Sequence, residues 1–360
     1  MHRNQAIYWA FFYYVKSIGP HSLLKLMRYF PNGKNAWQAS SKEYQQAGIS
    51  SRQRENILIE RKQINPEKIH NALQKYGIGL LLYKDPLYPT CLKKIHCPPP
   101  LLFYKGNPQK LQGQNVAVVG TRKASSYGKK QAFKIAQTLS SQNITIVSGL
   151  AIGIDSRAHQ AAFNQRGGTI AVLGGSLLPQ DIYPPQAKNL TREIIENNGL
   201  ILSESPPFIP LHPGCFPQRN RIIAGLSTHV IIIEAPLRSG ALITANHALE
   251  ENREILVLPG DIDRKSAQGT NELIRQGAGL ICSFEDLQSI FNVSELPKST
   301  PKYNSLENQI IQILETSPAP LDKLLNQMPQ IPYNNLIETL TKLEMKKEVC
   351  NEFGLYSLRI

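Results

Sequence analysis

What most constrains this chain is a repeated alternation over residues 111–292. Seven short apolar runs, rich in β-branched residues (NVAVVG, TIVSG, TIAVLGG, LILSE, HVIIIEA, EILVLPG and LICSF), are separated by helical patterns of about ten to fifteen residues. Strands that are apolar on both faces must be covered on both faces, and strands joined through helices run parallel. The alternation therefore predicts an α/β fold: an extended Rossmann-like parallel sheet with helices on each side. In open sheets of this kind ligands sit beyond the carboxyl ends of the strands.

Those ends are rich in glycine and small polar residues. The first run ends in Gly120-Thr121-Arg122, the second in Ser148-Gly149, and the third in Gly174-Gly175-Ser176. The fifth is followed by RSGALITA, with Ser239 and Gly240, and the sixth ends in Pro259-Gly260. Glycine lets backbone N–H groups approach a phosphate closely, and the positive end of each following helix favours anions. Five such ends on one rim point to a long anionic ligand or a nucleotide.

The nucleotide readings fail on detail. GTRKAS is not Gly-x-Gly-x-x-Gly, the second strand ends in glycine where a ribose-binding acid would stand, and Gly-x-x-x-x-Gly-Lys-Ser/Thr is absent from the sequence. Asp155 and His159 share a helix face four residues apart, but a catalytic set would need a nucleophile and a third member, so bracing of the helix is the expected role. The densest cationic cluster is FPQRNRIIAGLS. Its Arg219, Asn220 and Arg221 open an apolar helix, where forked guanidinium donors suit phosphate or, alternatively, pair with Glu204 or Glu234.

The flanks differ in character. Residues 1–75 look helical, and Gly19-Pro20 before a helix resembles a helix-hairpin-helix turn. Residues 76–110, with Pro86, Pro89 and Pro98-Pro99-Pro100, read as an irregular connector with one or two short strands (IGLLLY, LLFYKG) packing on the core. Residues 293–304 read as a linker, and residues 305–360, three helices and a hairpin turning near Gly354, fit a winged-helix domain. The charge is lopsided: residues 1–110 hold 17 Lys+Arg against 5 Asp+Glu, whereas residues 293–360 hold 7 against 8. A polyanionic partner suits the first excess, and the balance of the second argues for a protein-contact or regulatory module. Five cysteines without a Cys-x-x-Cys pair read as reduced thiols of a cytoplasmic protein, and Cys91, His96 and Cys97 do not complete a zinc set, so neither metal nor cofactor is expected. No run reaches the length of a membrane span, and the N-terminus lacks a signal-peptide cleavage site.

Six ordered segments, VAVVGTRKASSYG, SGLAIGIDSRAHQAA, TIAVLGGSLLPQDIYP, FPQRNRIIAGLS, EAPLRSGALITANHALEENREILVLPG and GTNELIRQGA, resemble the successive signatures of the bacterial DNA-processing protein A (DprA/Smf) family. The resemblance spans residues 111–292, and the flanking helical (SAM or helix-hairpin-helix-like) and winged-helix segments match the family's three-part layout. It implies non-catalytic binding of single-stranded DNA during natural transformation, loading of a RecA-type strand-exchange recombinase, and a homodimer through the Rossmann core. It implies DNA contacts at Gly120, Thr121, Arg122, the Gly174-Gly175 turn and the two arginines Arg219 and Arg221. One region departs from the pattern. Relatives read Gly-x-Gly-Leu-Asp-x-x-Tyr-Pro, whereas residues 174–188 carry extra residues, with Pro185 where a DNA-contacting lysine can sit and Lys188 as the replacement. The competing reading is a nucleotide-processing enzyme resembling the nucleoside-monophosphate phosphoribohydrolases. It is weakened because eight residues separate Pro259-Gly260 from Gly269-Thr270.

Overall fold

Local capping signals set the N-terminal helices. Asn32 and Asn65 cap α3 (Gly33–Gln38) and α6 (Pro66–Lys75) by accepting backbone N–H bonds. Ser40 with Glu43, and Ser50 with Gln53, close reciprocal capping boxes on α4 (Ser41–Gln46) and α5 (Ser51–Glu60). With α1 (Arg3–Phe11) and α2 (Pro20–Tyr29) they form a helical layer around Phe12, Trp37 and Tyr44. In this computed structural model the described residues are 3–293 and 305–358, except 317, 347 and 353. The chain divides into two compact units, one running to residue 294 and the other beginning at 295.

All seven predicted strands are present: β3 (Asn115–Val119), β4 (Thr145–Ser148), β5 (Thr169–Leu173), β6 (Leu200–Ser203), β7 (His229–Ile232), β8 (Glu254–Val257) and β9 (Gly279–Leu280). They pair in parallel in the order β6-β5-β4-β3-β7-β8-β9, with Val118 opposite Ile231 and Ile170 opposite Leu200. Every residue of β3 and β5 is buried, as coverage on both faces requires. The connecting helices are α8 (Ser126–Ser141), α9 (Ile154–Ala162), α10 (Ala187–Glu196), α11 (Cys215–Leu226), α12 (Gly240–Glu250) and α13 (Gln268–Arg275), followed by α14 (Phe284–Phe291).

In residues 76–110 both short strands expected from IGLLLY and LLFYKG form, and they join the sheet. β1 (Gly79–Leu82) and β2 (Leu101–Gly106), joined across the short α7 (Thr90–Lys93), form a hairpin that pairs antiparallel with β6 and widens the sheet to nine strands. The prolines lie between these strands, where their missing N–H groups cost no ladder bond. The helical layer is fastened to this edge: the Tyr13 hydroxyl donates to Leu101 O at 3.0 Å, and Phe11, Phe12 and Trp37 share one core with Phe103, Leu173 and Ile201.

The second unit holds α15 (Ser305–Thr316), α16 (Leu321–Gln327) and α17 (Tyr333–Met345) around Ile310, Leu324, Leu336 and Leu340. A sheet of β10 (Ala319–Pro320), β12 (Leu355–Leu358) and β11 (Val349–Glu352) completes it, with Gly354 in the left-handed region at the hairpin turn. The linker read over 293–304 lies, from 294 on, outside the described residues.

Candidate nucleic-acid interface

From β3 the strand order runs outward in both directions, through β4 to β6 on one side and β7 to β9 on the other. The loops leaving β3 and β7 part at this switch point and open a pocket of about 560 Å³ at the carboxyl ends of the strands. It is lined by Gly120 to Lys123 after β3, Ala151 and Asp155 after β4, Phe216, Pro217, Arg219 and Asn220 at the start of α11, and Arg238, Ser239 and Gly240 before α12, with Tyr183 at one side.

Its scaffold is built from buried polar groups. Thr121 N–H donates to Glu234 O at 2.8 Å. The buried Glu234 carboxylate accepts the Ser125 N–H at 2.9 Å and the Ser125 hydroxyl, and lies 3.8 Å from Arg264. Ser125 in turn caps α8 through Gly128 N–H. The N-terminus of the helix after the first parallel strand, where a dinucleotide-binding fold seats a pyrophosphate, is thus occupied by a carboxylate of the chain itself. From the other side Gly153, at φ +92°, lies so close to the loop that a Cβ would come 2.5 Å from Thr121 O. Only glycine meets both conditions.

Asp155 is the hub. Its carboxylate accepts N–H bonds from Gly149 at 3.1 Å and Ala151 at 3.4 Å. Arg219 donates to Gly149 O at 2.8 Å, and a Cβ on Gly149 would come 2.7 Å from its guanidinium and 2.9 Å from Asp155 Oδ2. Burial holds the Asp155 carboxyl above its usual range, against the pull of Arg219 and of the backbone N–H groups. Burial pushes Arg219 down to about 10, opposed by Asp155 and reinforced by Arg122. Arg219 ties the β4 loop to α11 through Gly149 O, and the Asp155 carboxylate, in the first turn of α9, acts on it electrostatically.

His159 does not complete a catalytic pair with Asp155. Its Nδ1 lies 2.7 Å from Thr169 Oγ1, whose proton goes to Ile146 O, so Nδ1–H is the donor. Burial, with Arg219 nearby, pushes its pKa down to about 3 from 6.5. A depressed histidine pKa means that the unfolded chain binds more protons between these two values, so stability is lost as the pH falls below the upper one. This residue alone is expected to contribute a slope of about 1.4 kcal/mol per pH unit below roughly pH 6. Urea midpoints from pH 7 to 4.5 measure it. A His159→Gln variant with an unchanged slope would refute the assignment.

Of the residues predicted from sequence, Gly120, Thr121, Arg122, Arg219, Asn220, Ser239 and Gly240 converge on this pocket. Arg122 is exposed and stands 5.6 Å from the Phe216 ring centroid, and the exposed Tyr183 packs on the same ring at 5.5 Å. Asn220 Nδ2 donates to Gly240 O at 3.2 Å and Ser239 caps α12, which holds the α12 N-terminus toward the pocket. The other predicted residues lie elsewhere. Positions i and i+2 of a helix point to different sides, so Arg221 turns away from Arg219 and pairs with Glu204 in a second pocket. Gly174 lines that second pocket too, and Gly175 is buried with its carbonyl accepting from Ser203. Gly149 is buried, meeting only a narrow recess beside Tyr183. Lys188 is exposed on α10, outside the pocket lining. Reading by strand ends missed Lys123, Tyr183, Phe216 and Arg238. Arg238 directly precedes the Ser-Gly cap of α12, a signal visible in the sequence. Among the described residues no three His, Cys, Asp or Glu side chains cluster as metal ligands, and no helix is long and apolar enough to cross a membrane.

Residues 79–292 match the family model for DNA recombination-mediator protein A. The chain is similar to protein Smf of Synechocystis sp., 41% identical over 292 residues, covering 80% of this chain and 73% of that one. It is 42% identical to the DNA processing protein DprA of Streptococcus pneumoniae over 246 residues, covering 68% and 85%. Its fold matches the X-ray structure of the Streptococcus pneumoniae DNA processing protein A with a TM-score of 0.68 at 36% identity, covering 79% of this chain and 97% of that one. It also matches DNA processing protein A from Helicobacter pylori, a structure described for its unique single-stranded DNA binding mode, with a TM-score of 0.54 at 31% identity, covering 60% and 97%.

Proposed function

The chain belongs to the DNA recombination-mediator protein A family, and on that premise we propose that it binds single-stranded DNA, without catalysis, along the rim pocket at the carboxyl ends of its sheet. The observation that carries this reading is the meeting, in one pocket, of three exposed cations (Arg122, Lys123 and Arg238), a helix N-terminus and the Phe216–Tyr183 aromatic pair. Cations beside aromatic faces suit a strand whose phosphates are neutralised and whose bases stack without being read. In this reading Arg122, Lys123, Arg238 and the Ser239-Gly240 turn take phosphate, Gly120 and Thr121 shape the floor with their N–H groups already bonded to the chain, and Arg219 and Asn220 hold the pocket walls. Lys188 extends the path, and hand-off to a strand-exchange recombinase and a homodimer through the core are part of the proposal, supported by the family resemblance.

Nucleotide processing is the weaker reading, because Glu234 occupies the phosphate position of the first helix and Asp155 is consumed by Arg219 and backbone N–H groups. The test is a titration of matched single- and double-stranded oligonucleotides over a salt range. Single strands are expected to bind more tightly, and three neutralised phosphates give a log–log salt slope of roughly −2. Equal affinity for duplex, or a flat salt response, would sink the proposal.

A further inference from the structure

A second groove, of about 560 Å³, lies between α5, α6 and the segment that leaves β6, and it resembles the rim pocket in chemistry. Its walls include Tyr14, Lys16, Ile64, Lys68 and Phe208. Both lysines are exposed, and the Phe208 ring is 42% exposed with Lys68 Nζ 4.6 Å from its centroid. The Phe208 backbone is left-handed, at φ +66°, where a bulky side chain is disfavoured. The conformation is imposed. The Tyr14 hydroxyl donates to Pro207 O at 2.7 Å, and Pro206, Pro207 and Pro210 stiffen the segment around the ring. Backbone strain held in place by its surroundings gathers at binding sites.

The groove carries one acid, Glu60, half-buried and bonded to Lys16 N–H at 2.9 Å. It lies on the strongly basic N-terminal third, so its wider setting favours a polyanion. It is also continuous in sequence with the rim pocket. The chain that carries Phe208 runs through Pro210 and Pro213 to Phe216, and eight residues span at most about 29 Å. That is a separation of a few nucleotides on one extended strand.

We propose that this groove is a second subsite for the same single strand, in which Phe208 stacks a base and Lys16 and Lys68 take the flanking phosphates. The inference rests on the rim-pocket reading and adds that the N-terminal helical layer is part of the DNA path. A ring with a cation beside it is the arrangement by which single strands are held without sequence preference.

Fluorescence anisotropy with labelled oligo-dT of about 5 and about 20 nucleotides separates the two subsites. Phe208→Ala is expected to weaken the longer oligonucleotide about tenfold, or about 1.4 kcal/mol, and to leave the shorter one within about twofold. Phe208→Trp should restore the loss. The double variant Lys16→Glu, Lys68→Glu should show the same length dependence with a larger effect. Equal weakening of both lengths would overturn the proposal, because the ring would then only brace the segment leading to Phe216. No loss at either length would also overturn it and leave the groove for a protein partner. Arg122→Ala distinguishes this subsite from the rim pocket. An Arg122 effect without a Phe208 effect discards only the second subsite, and the reverse discards only the rim pocket.

Discussion

Replacing Arg219 with methionine is expected to cost roughly 1.5–3 kcal/mol of stability, the range for losing a hydrogen bond from a charged group. The variant leaves the Asp155 carboxylate buried without its guanidinium, and the carbonyl of Gly149 loses its 2.8 Å donor. Calorimetry on the whole chain should show the transition of the sheet unit lowered by on the order of 10 °C. The double variant Arg219→Met, Asp155→Asn should recover part of that loss, since the uncompensated charge is removed as well. A single variant melting within about 2 °C of the parent would show that Arg219 does not brace the sheet end.

Arg122→Ala is expected to act in the opposite way, leaving the fold intact and removing ligand affinity. Arg122 is exposed, and it lies against the Phe216 ring. Losing a charged hydrogen bond to a phosphate costs roughly 1.5–3 kcal/mol, which is about 10- to 150-fold in single-strand affinity. Arg122→Lys should recover only part, because an ammonium keeps the charge but loses the forked donors. Unchanged binding of the alanine variant, or a large drop in its melting temperature, would contradict the role given to this residue.

The two arginines of FPQRNRIIAGLS show where sequence reading stops. Strand number, parallel pairing and the location of the pocket follow from periodicity, because burial on both faces leaves a strong one-dimensional trace. Gly120, Thr121 and Arg122 were legible for the same reason, as the end of such a strand. Arg219 and Arg221 look alike in sequence, yet helical geometry sends one to Asp155 and Gly149 and the other to Glu204. Choosing between phosphate and carboxylate as their partner needs the position of acids distant in the chain. Phe216 and Tyr183 were silent because an aromatic residue reads as core until its exposure is known. Strands β1 and β2 were legible as IGLLLY and LLFYKG, but their antiparallel addition to β6 was not, because pairing with a strand about a hundred residues away leaves no local trace.

The carboxylate of Glu234 has a consequence for life among metabolites. A cell holds abundant free nucleotides, and any open helix end beside a parallel strand is a seat for their phosphates. Here that seat is taken by a group tethered to the same chain, whose local concentration no diffusing competitor matches. Mononucleotides gain nothing at the strongest anion position of the sheet. A polymer that spreads many weak phosphate contacts along the rim does not need that position. On the proposed reading, the fold would thereby favour a long anion over short ones.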